Sequence, residues 1–195
     1  MKLTEEFYRN EDVVALARHL LGKKLVTRID GLETAGIINE TEAYAGESDR
    51  ASHAFGGRRT ARTEVMYATG GTAYVYLCYG IHSLFNVVTN VAGIPHAVLI
   101  RSIVPVQGID VMEKRRGMSA ERKGFASGPG ILTKALGIHH SHTGMSLMGE
   151  TIWLEENGIN IPASIIKAGP RIGVEYAGKD ALLPYRFRID PEHLR

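Results

Sequence analysis

The stretch Ile38-Asn39-Glu40-Thr41-Glu42-Ala43-Tyr44 decides how the rest of the chain is read. It ends a run from Gly36 that has the pattern of a β-strand. Period-two geometry sends Glu40, Glu42 and Tyr44 to one face, with neighbouring members about 7 Å apart. Such a pair of carboxylates can do acid–base work on a glycosidic bond, or one acts as a base beside a structural neighbour. Two solvent-facing strand carboxylates are the plain alternative.

Towards the N-terminus, residues 25–29 read as the preceding strand and Asp30-Gly31 as the tight turn of a hairpin. Before it, Val13, Leu16, Ala17, Leu20 and Leu21 repeat at helical spacing, with Asn10 as the expected N-cap and Gly22 as the stop. Towards the C-terminus, residues 45–70 show no sustained period and are expected to form a long surface loop with short helices at most, a kind that is usually functional or disordered. A second hairpin is expected over 74–79 and 84–89, its tip at Tyr79 and Gly80, and then a strand over 97–103 that ends at Pro105. Residues 108–116 read as helical, and Ser127-Gly128-Pro129 opens a short helix that Gly137 closes. Further strands are expected near Trp153, at Ile172-Gly173-Val174 and over 185–189. The expected fold is mixed α+β: a single domain spanning 1–195, with a curved, largely antiparallel sheet flanked by short helices.

Composition fits this. The chain has 195 residues, 44% apolar content, 22 glycines and 7 prolines, which points to many turns rather than a helical bundle. No segment approaches the roughly 20 apolar residues of a membrane span and no signal peptide is visible, so a soluble, cytoplasmic protein is expected. Cys78 is the sole cysteine, which excludes an internal disulfide and a four-cysteine cluster. A net charge of +2 decides little. Local clustering says more: Arg50, Arg58, Arg59 and Arg62 crowd one stretch, and Lys114, Arg115, Arg116, Arg122 and Lys123 another.

Tyr74 and Tyr76 share a strand face, and Tyr79 can project from the hairpin tip. Tyrosine rings stack on bases, attract a cationic alkylated purine and can fill the gap left by a flipped nucleotide. His53 can offer a hydrogen bond to a base edge. His139, His140 and His142 lack companion ligands at metal-site spacing, so no metal is expected there. Asn86 and Arg101 lie in apolar strands, where each needs polar partners if buried.

Taken in order, Asn39-Glu40-Thr41-Glu42-Ala43-Tyr44, His53 before Gly56-Gly57-Arg58, Tyr74-Val75-Tyr76 with Tyr79-Gly80, Asn86, Leu99-Ile100-Arg101, Ser127-Gly128-Pro129, Arg171-Ile172-Gly173-Val174 and Tyr185-Arg186-Phe187 resemble the alkyladenine (3-methyladenine) DNA glycosylase family. The resemblance implies a monofunctional base-excision repair enzyme that hydrolyses the N-glycosidic bond of alkylated or deaminated purines after nucleotide flipping. It implies Glu42 as general base, with Arg101 and the backbone carbonyl of Ile172 holding the water. Tyr44 would face His53 and Tyr76 across the flipped base, and Asn86 would crowd the 2-amino group of guanine. Tyr79 would enter the duplex, with Ile81, Arg58, Arg59 and Arg62 on the DNA.

Where the family often has methionine and a basic residue, this chain has Ile81 and Ile131. The expected partner is double-stranded DNA carrying a damaged purine, bound by a monomer that is nucleoid-associated when on DNA. No metal or organic cofactor and no membrane are expected. Two other functions fit parts of the pattern: a nucleoside or carbohydrate hydrolase using Glu40 and Glu42, and a non-catalytic DNA-binding module.

Overall fold

The computed structural model describes residues 1–194. Strands β1 (Lys24–Ile29) and β2 (Leu32–Tyr44) are joined by Asp30 and Gly31 at φ 54° and 73°. Both lie in the left-handed region that a two-residue hairpin turn requires, and glycine and aspartate tolerate it best. Strands β3 (Ala73–Cys78) and β4 (His82–Thr89) form the second hairpin, and β5 (His96–Gln107) returns beside β2. With β6 (Ile152–Glu155) the sheet order is β3-β4-β5-β2-β1-β6. Two short strands, β7 (Lys167–Gly169) and β8 (Arg186–Arg188), join through β8 to β2. Every pairing is antiparallel, as the alternating sequence pattern predicts.

Strand β2 is the axis of this sheet. One edge pairs with β5 along most of its length, and the other meets β1 at residues 32–37 and then β8 at residues 40–42. Helix α1 (Glu5–Tyr8) and helix α2 (Val13–His19) precede the sheet. The Thr41 hydroxyl donates to the Ala17 carbonyl at 2.7 Å, giving one of the helix's unpaired C-terminal carbonyls a partner. Thr41 and Ala43 therefore face α2, and Glu40, Glu42 and Tyr44 face the other way. Helix α3 (Ile109–Arg116) packs on α4 (Pro129–Leu136), which covers β4 and β5.

Three expectations change. Asp12, not Asn10, caps α2, because its carboxylate accepts from the amides of Val14 and Ala15 at 2.9 Å each while Asn10 supports Asp12 itself. Pro105 does not end β5, because it sits opposite Gly36 at a register irregularity, where a missing N–H is tolerated. Residues 172–174 form no strand: Gly173 turns the chain at φ 74°, and the pairing falls earlier, in β7. The stretch over 45–70 has short helices at most, as expected: three 3-10 turns, Gly46–Ser48, Phe55–Gly57 and Glu64–Tyr67. No described helix is long and apolar enough to cross a membrane.

Candidate active site

Strands β2 and β5 each carry a bulge at the same place. Ile38 pairs with Ile103 and Glu40 with Ser102, which leaves Asn39 unpaired; Thr41 then pairs with Ile100, which leaves Arg101 unpaired. Bulges re-aim side chains, and here Arg101 swings across the strand onto both carboxylates. Its Nε donates to Glu40 Oε1 at 3.1 Å and its Nη1 lies 3.4 Å from Glu42 Oε1. Arg186, opposite Glu42 on β8, reaches the same Glu40 oxygen at 3.2 Å. Of the two readings that its position in an apolar strand left open, Arg101 makes the structural ion pair, and it also lines the cavity described next.

Glu42 has no exposed surface. Its Oε1 accepts the amide of Ile172 at 2.8 Å and its Oε2 accepts the Tyr44 hydroxyl at 2.8 Å. Burial pushes its carboxyl above the ordinary range, opposed by Arg101, the Ile172 amide and the Tyr44 hydroxyl. The contact made by Ile172 is through its nitrogen, where the resemblance implied a role for its carbonyl.

Three partners of Glu42, namely Tyr44, Arg101 and Ile172, line a cavity of about 470 Å³ together with His53, Tyr76 and Asn86, within the size range of small-ligand sites, while Glu42 itself lies behind them. His53 stands edge-on to Tyr76 with ring centroids 4.8 Å apart, and its Nδ1 pairs with the Tyr74 hydroxyl at 2.8 Å. Tyr74 and Tyr76 are themselves 5.3 Å apart. Among the described residues no ring contact joins Tyr44 to this cluster, so the aromatic walls stand apart across the cavity. Asn86 is buried, with its amide donating to the Tyr74 carbonyl at 3.1 Å. A larger cavity of about 570 Å³, beside residues 120–127 and 188–191, has Glu40 in its wall but none of these rings. The rings and the buried carboxylate make the smaller one the candidate site.

The strand face that sequence alone would leave in solvent is roofed by the 45–70 loop and the segment after β7. Arg171 and Asp49 tie the two together. The guanidinium pairs with both carboxylate oxygens, through Nη1 to Oδ2 and through Nη2 to Oδ1 at 2.8 Å, and neither side chain has more than 1% exposure. Arg171 also donates to the Ala43 carbonyl at 2.9 Å and lies over the rings of Tyr44 and Tyr185 at 4.8 and 5.3 Å. This places Ile172 on Glu42. Neither Asp49 nor the partners of Arg171 and Arg186 were readable locally, since Asp49 lies in an aperiodic loop and its partner is 122 residues away.

At the rim, Tyr79 is 92% and Ile81 74% exposed, on a turn where Tyr79 and Gly80 both have positive φ. Arg58, Arg59 and Arg62 are exposed. Arg62 covers the Tyr76 ring at 4.7 Å, whereas Arg59 is paired with Glu64 at 2.7 Å and covers Tyr67. The second basic cluster divides: Arg115 and Arg116 bond to the carbonyls of Ala135 and Phe125, and Arg122 and Lys123 stay exposed. His139 and His142 bond within their own 3-10 turn, where the His139 amide donates to His142 Nδ1 at 2.9 Å.

Burial, with the Arg62 and Arg58 charges beyond it, lowers the His53 pKa to about 4. Its folded value lies below its ordinary one, so between about pH 4 and 6.5 the unfolded chain binds more protons at this position. The stability that His53 contributes is complete above 6.5 and is lost as pH falls through that window. A proton NMR titration should find its ring neutral at pH 5.5; an ordinary midpoint near 6.5 would refute this.

A family model described as methylpurine-DNA glycosylase (MPG) matches residues 6–193 of the chain. Three similar proteins carry the name "Putative 3-methyladenine DNA glycosylase". That of Chlamydia felis is 46% identical over 189 residues, covering 96% of each chain. Those of Chlamydia pneumoniae and Bacillus mycoides are 44% and 43% identical, covering 97% and 96% of this chain and 96% and 95% of their own. With a match of this extent over the strands that carry Glu42, the aromatic walls and Arg101, the chain belongs to the methylpurine-DNA glycosylase family.

Proposed function

We propose that this protein is a monofunctional DNA glycosylase that removes 3-methyladenine-type purines from double-stranded DNA by hydrolysis and leaves an abasic site. Base-excision repair of alkylated bases is the work of its family; the roles of individual residues are our reading. The observation that carries it is Glu42, a buried carboxylate of raised basicity bonded to Tyr44 and Ile172 in the wall of an aromatic-lined cavity.

In this reading a flipped purine enters between Tyr44 on one side and His53 with Tyr76 on the other, where electron-rich rings favour a cationic alkylated base. Its entry turns the Tyr44 hydroxyl aside and admits water to Glu42 Oε2. As the bond between the purine nitrogen and C1′ breaks, its electron pair leaves with the base and positive charge grows on the sugar. Glu42 stabilises that charge and takes a proton from the water, whose oxygen bonds to C1′. An alkylated cationic purine departs neutral, so it needs no acid. Hypoxanthine and ethenoadenine, which start neutral, are candidate further substrates and would need a proton or a hydrogen bond on leaving. Neutral His53 and the buried Asn86 amide read the base edge, and Asn86 excludes the 2-amino group of guanine.

Among the alternatives, the free-sugar hydrolase needs Glu40 as the second catalytic carboxylate. Glu40 Oε1 is taken up by two guanidiniums, and Glu40 is not among the residues that line the aromatic cavity. The test is a panel of duplexes, each with one modified purine, scored for free base. Release from 3-methyladenine duplex supports the assignment; release from nucleosides alone, or none from any duplex, rejects it.

Tyr79 fills the space of the everted nucleotide, and Ile81, Arg58, Arg59 and Arg62 meet the DNA around it. Tyr79→Ala is expected to weaken lesion-duplex binding about tenfold, in line with the ~1–3 kcal/mol of a base–aromatic stack. The fluorescence rise of 2-aminopurine beside the lesion should shrink with it. An unchanged signal removes the wedge role.

A further inference from the structure

Glu40 has no role in the chemistry just described, yet it is only 14% exposed and carries two guanidiniums on one oxygen. Arginine presents donors in a rigid fork that normally closes on a carboxylate through two parallel bonds at about 2.7–2.9 Å. Arg101 does not close on Glu42 this way: its nearer contact is to Glu40, at 3.1 Å, and the Glu42 contact is 3.4 Å.

We infer that Glu40, itself neutralised by Arg186, is a positioning residue that draws the Arg101 guanidinium back from Glu42 and so leaves Oε2 to the water once the Tyr44 hydroxyl has turned aside. The inference rests on Glu42 being that base. Without the pull of Glu40, Arg101 would rotate into a bidentate pair with Glu42 and occupy the oxygens that water must reach. Arg186 has its own part. A carboxylate as buried as Glu40, on the same strand face as Glu42, would raise like-charge repulsion unless a second cation shared it.

The groups that face Glu42 are Glu40 and Tyr44 on β2, Arg101 on β5, Tyr76 on β3, Arg186 on β8, and Arg171 with the Ile172 amide on the segment after β7. Removing the charge of Glu40 acts on Glu42 in one direction only. It deletes a neighbouring negative charge and brings Arg101 closer, and both lower the pH at which Glu42 gains a proton.

The test is single-turnover excision across pH for the Glu40→Gln and Glu40→Asp variants, with lesion-duplex affinity and thermal melting measured alongside. For Glu40→Gln the plateau rate is expected to fall about 10–100-fold, the size of effect a misplaced group near the reacting atoms produces. Affinity should stay within about twofold of the unaltered protein, since no ground-state contact to DNA is lost. The acid limb should move to lower pH. Glu40→Asp restores the charge at shorter reach, so its acid limb should return towards the original position with part of the rate regained.

For Glu40→Gln two results would overturn the inference: an unchanged plateau rate, whether or not the acid limb moves, or a rate loss without any limb movement. If Glu40→Gln melts too early to assay, the decision passes to Glu40→Asp, which must show a lowered plateau with its acid limb in place. Excision that survives in Glu42→Gln would defeat the base assignment instead, which separates the two claims.

Discussion

Glu42→Gln is expected to abolish excision of 3-methyladenine while binding to lesion duplex persists. The glutamine matches the carboxylate in shape, and its oxygen can accept the Ile172 amide while its amino group faces the Tyr44 hydroxyl, which reverses and accepts. What it cannot do is take the water's proton or oppose the positive charge on the sugar. Loss of a general base alone costs about 10²–10⁴-fold, and the lost negative charge adds to that.

A second readout separates this from misfolding. Burial raises the folded pKa of Glu42 above its ordinary value, so its contribution to stability is present below about pH 4.5 and is lost as pH rises through the folded value. At neutral pH the ionised carboxylate is therefore a burden on the fold. The glutamine variant should melt at a temperature equal to or above that of the unaltered protein at pH 7, and the acid limb of activity should disappear with the activity. A variant that melts much earlier, or that still releases base at the original rate, contradicts the assignment.

The largest effect on stability is expected at Arg171 and Asp49. Both side chains are withdrawn from water, and the guanidinium engages both oxygens of the carboxylate. Truncating either partner leaves a buried charge without compensation, which costs about 3–5 kcal/mol. Arg171→Ala and Asp49→Ala should each show this loss in equilibrium denaturation, and the double variant should lose much less than the two singles together. Additive losses would mean that the pair does not act as a unit. Because Arg171 adjoins Ile172, any folded fraction of the single variants should also excise slowly. The loop and the segment it anchors form the roof over Glu42, and without them that carboxylate returns to solvent and to ordinary basicity.

The hairpins were legible because their signals are local: Asp30-Gly31 and Tyr79-Gly80 name the turns, and alternation names the strands beside them. The faces of β2 were legible for the same reason, since period two fixes which side chains share a surface whatever lies opposite. Local signals misled where neighbours in space took over. Pro105 reads as a strand stop, yet a bulge in the pairing with β2 absorbs its missing donor. Ile172 and Val174 have strand composition, yet Arg171 pins the chain to Asp49 and Gly173 bends it at φ 74°. Among the basic residues, sequence could not tell Arg62, spread over Tyr76, from Arg115, which donates to the Ala135 carbonyl of α4.

The order of side chains along β2 by itself determined that Glu40, Glu42 and Tyr44 would share a surface, because backbone pleating depends on nothing farther away than the next residue. What became of that surface was decided in three dimensions. Only the folded chain could cover it with residues far off in sequence and turn an ordinary carboxylate into one withdrawn from water. Only the paired bulges of β2 and β5 could divide Arg101 between two acids. Burial and charge pairing are sums over everything nearby, and nearness across a sheet is not written in any one stretch of the chain.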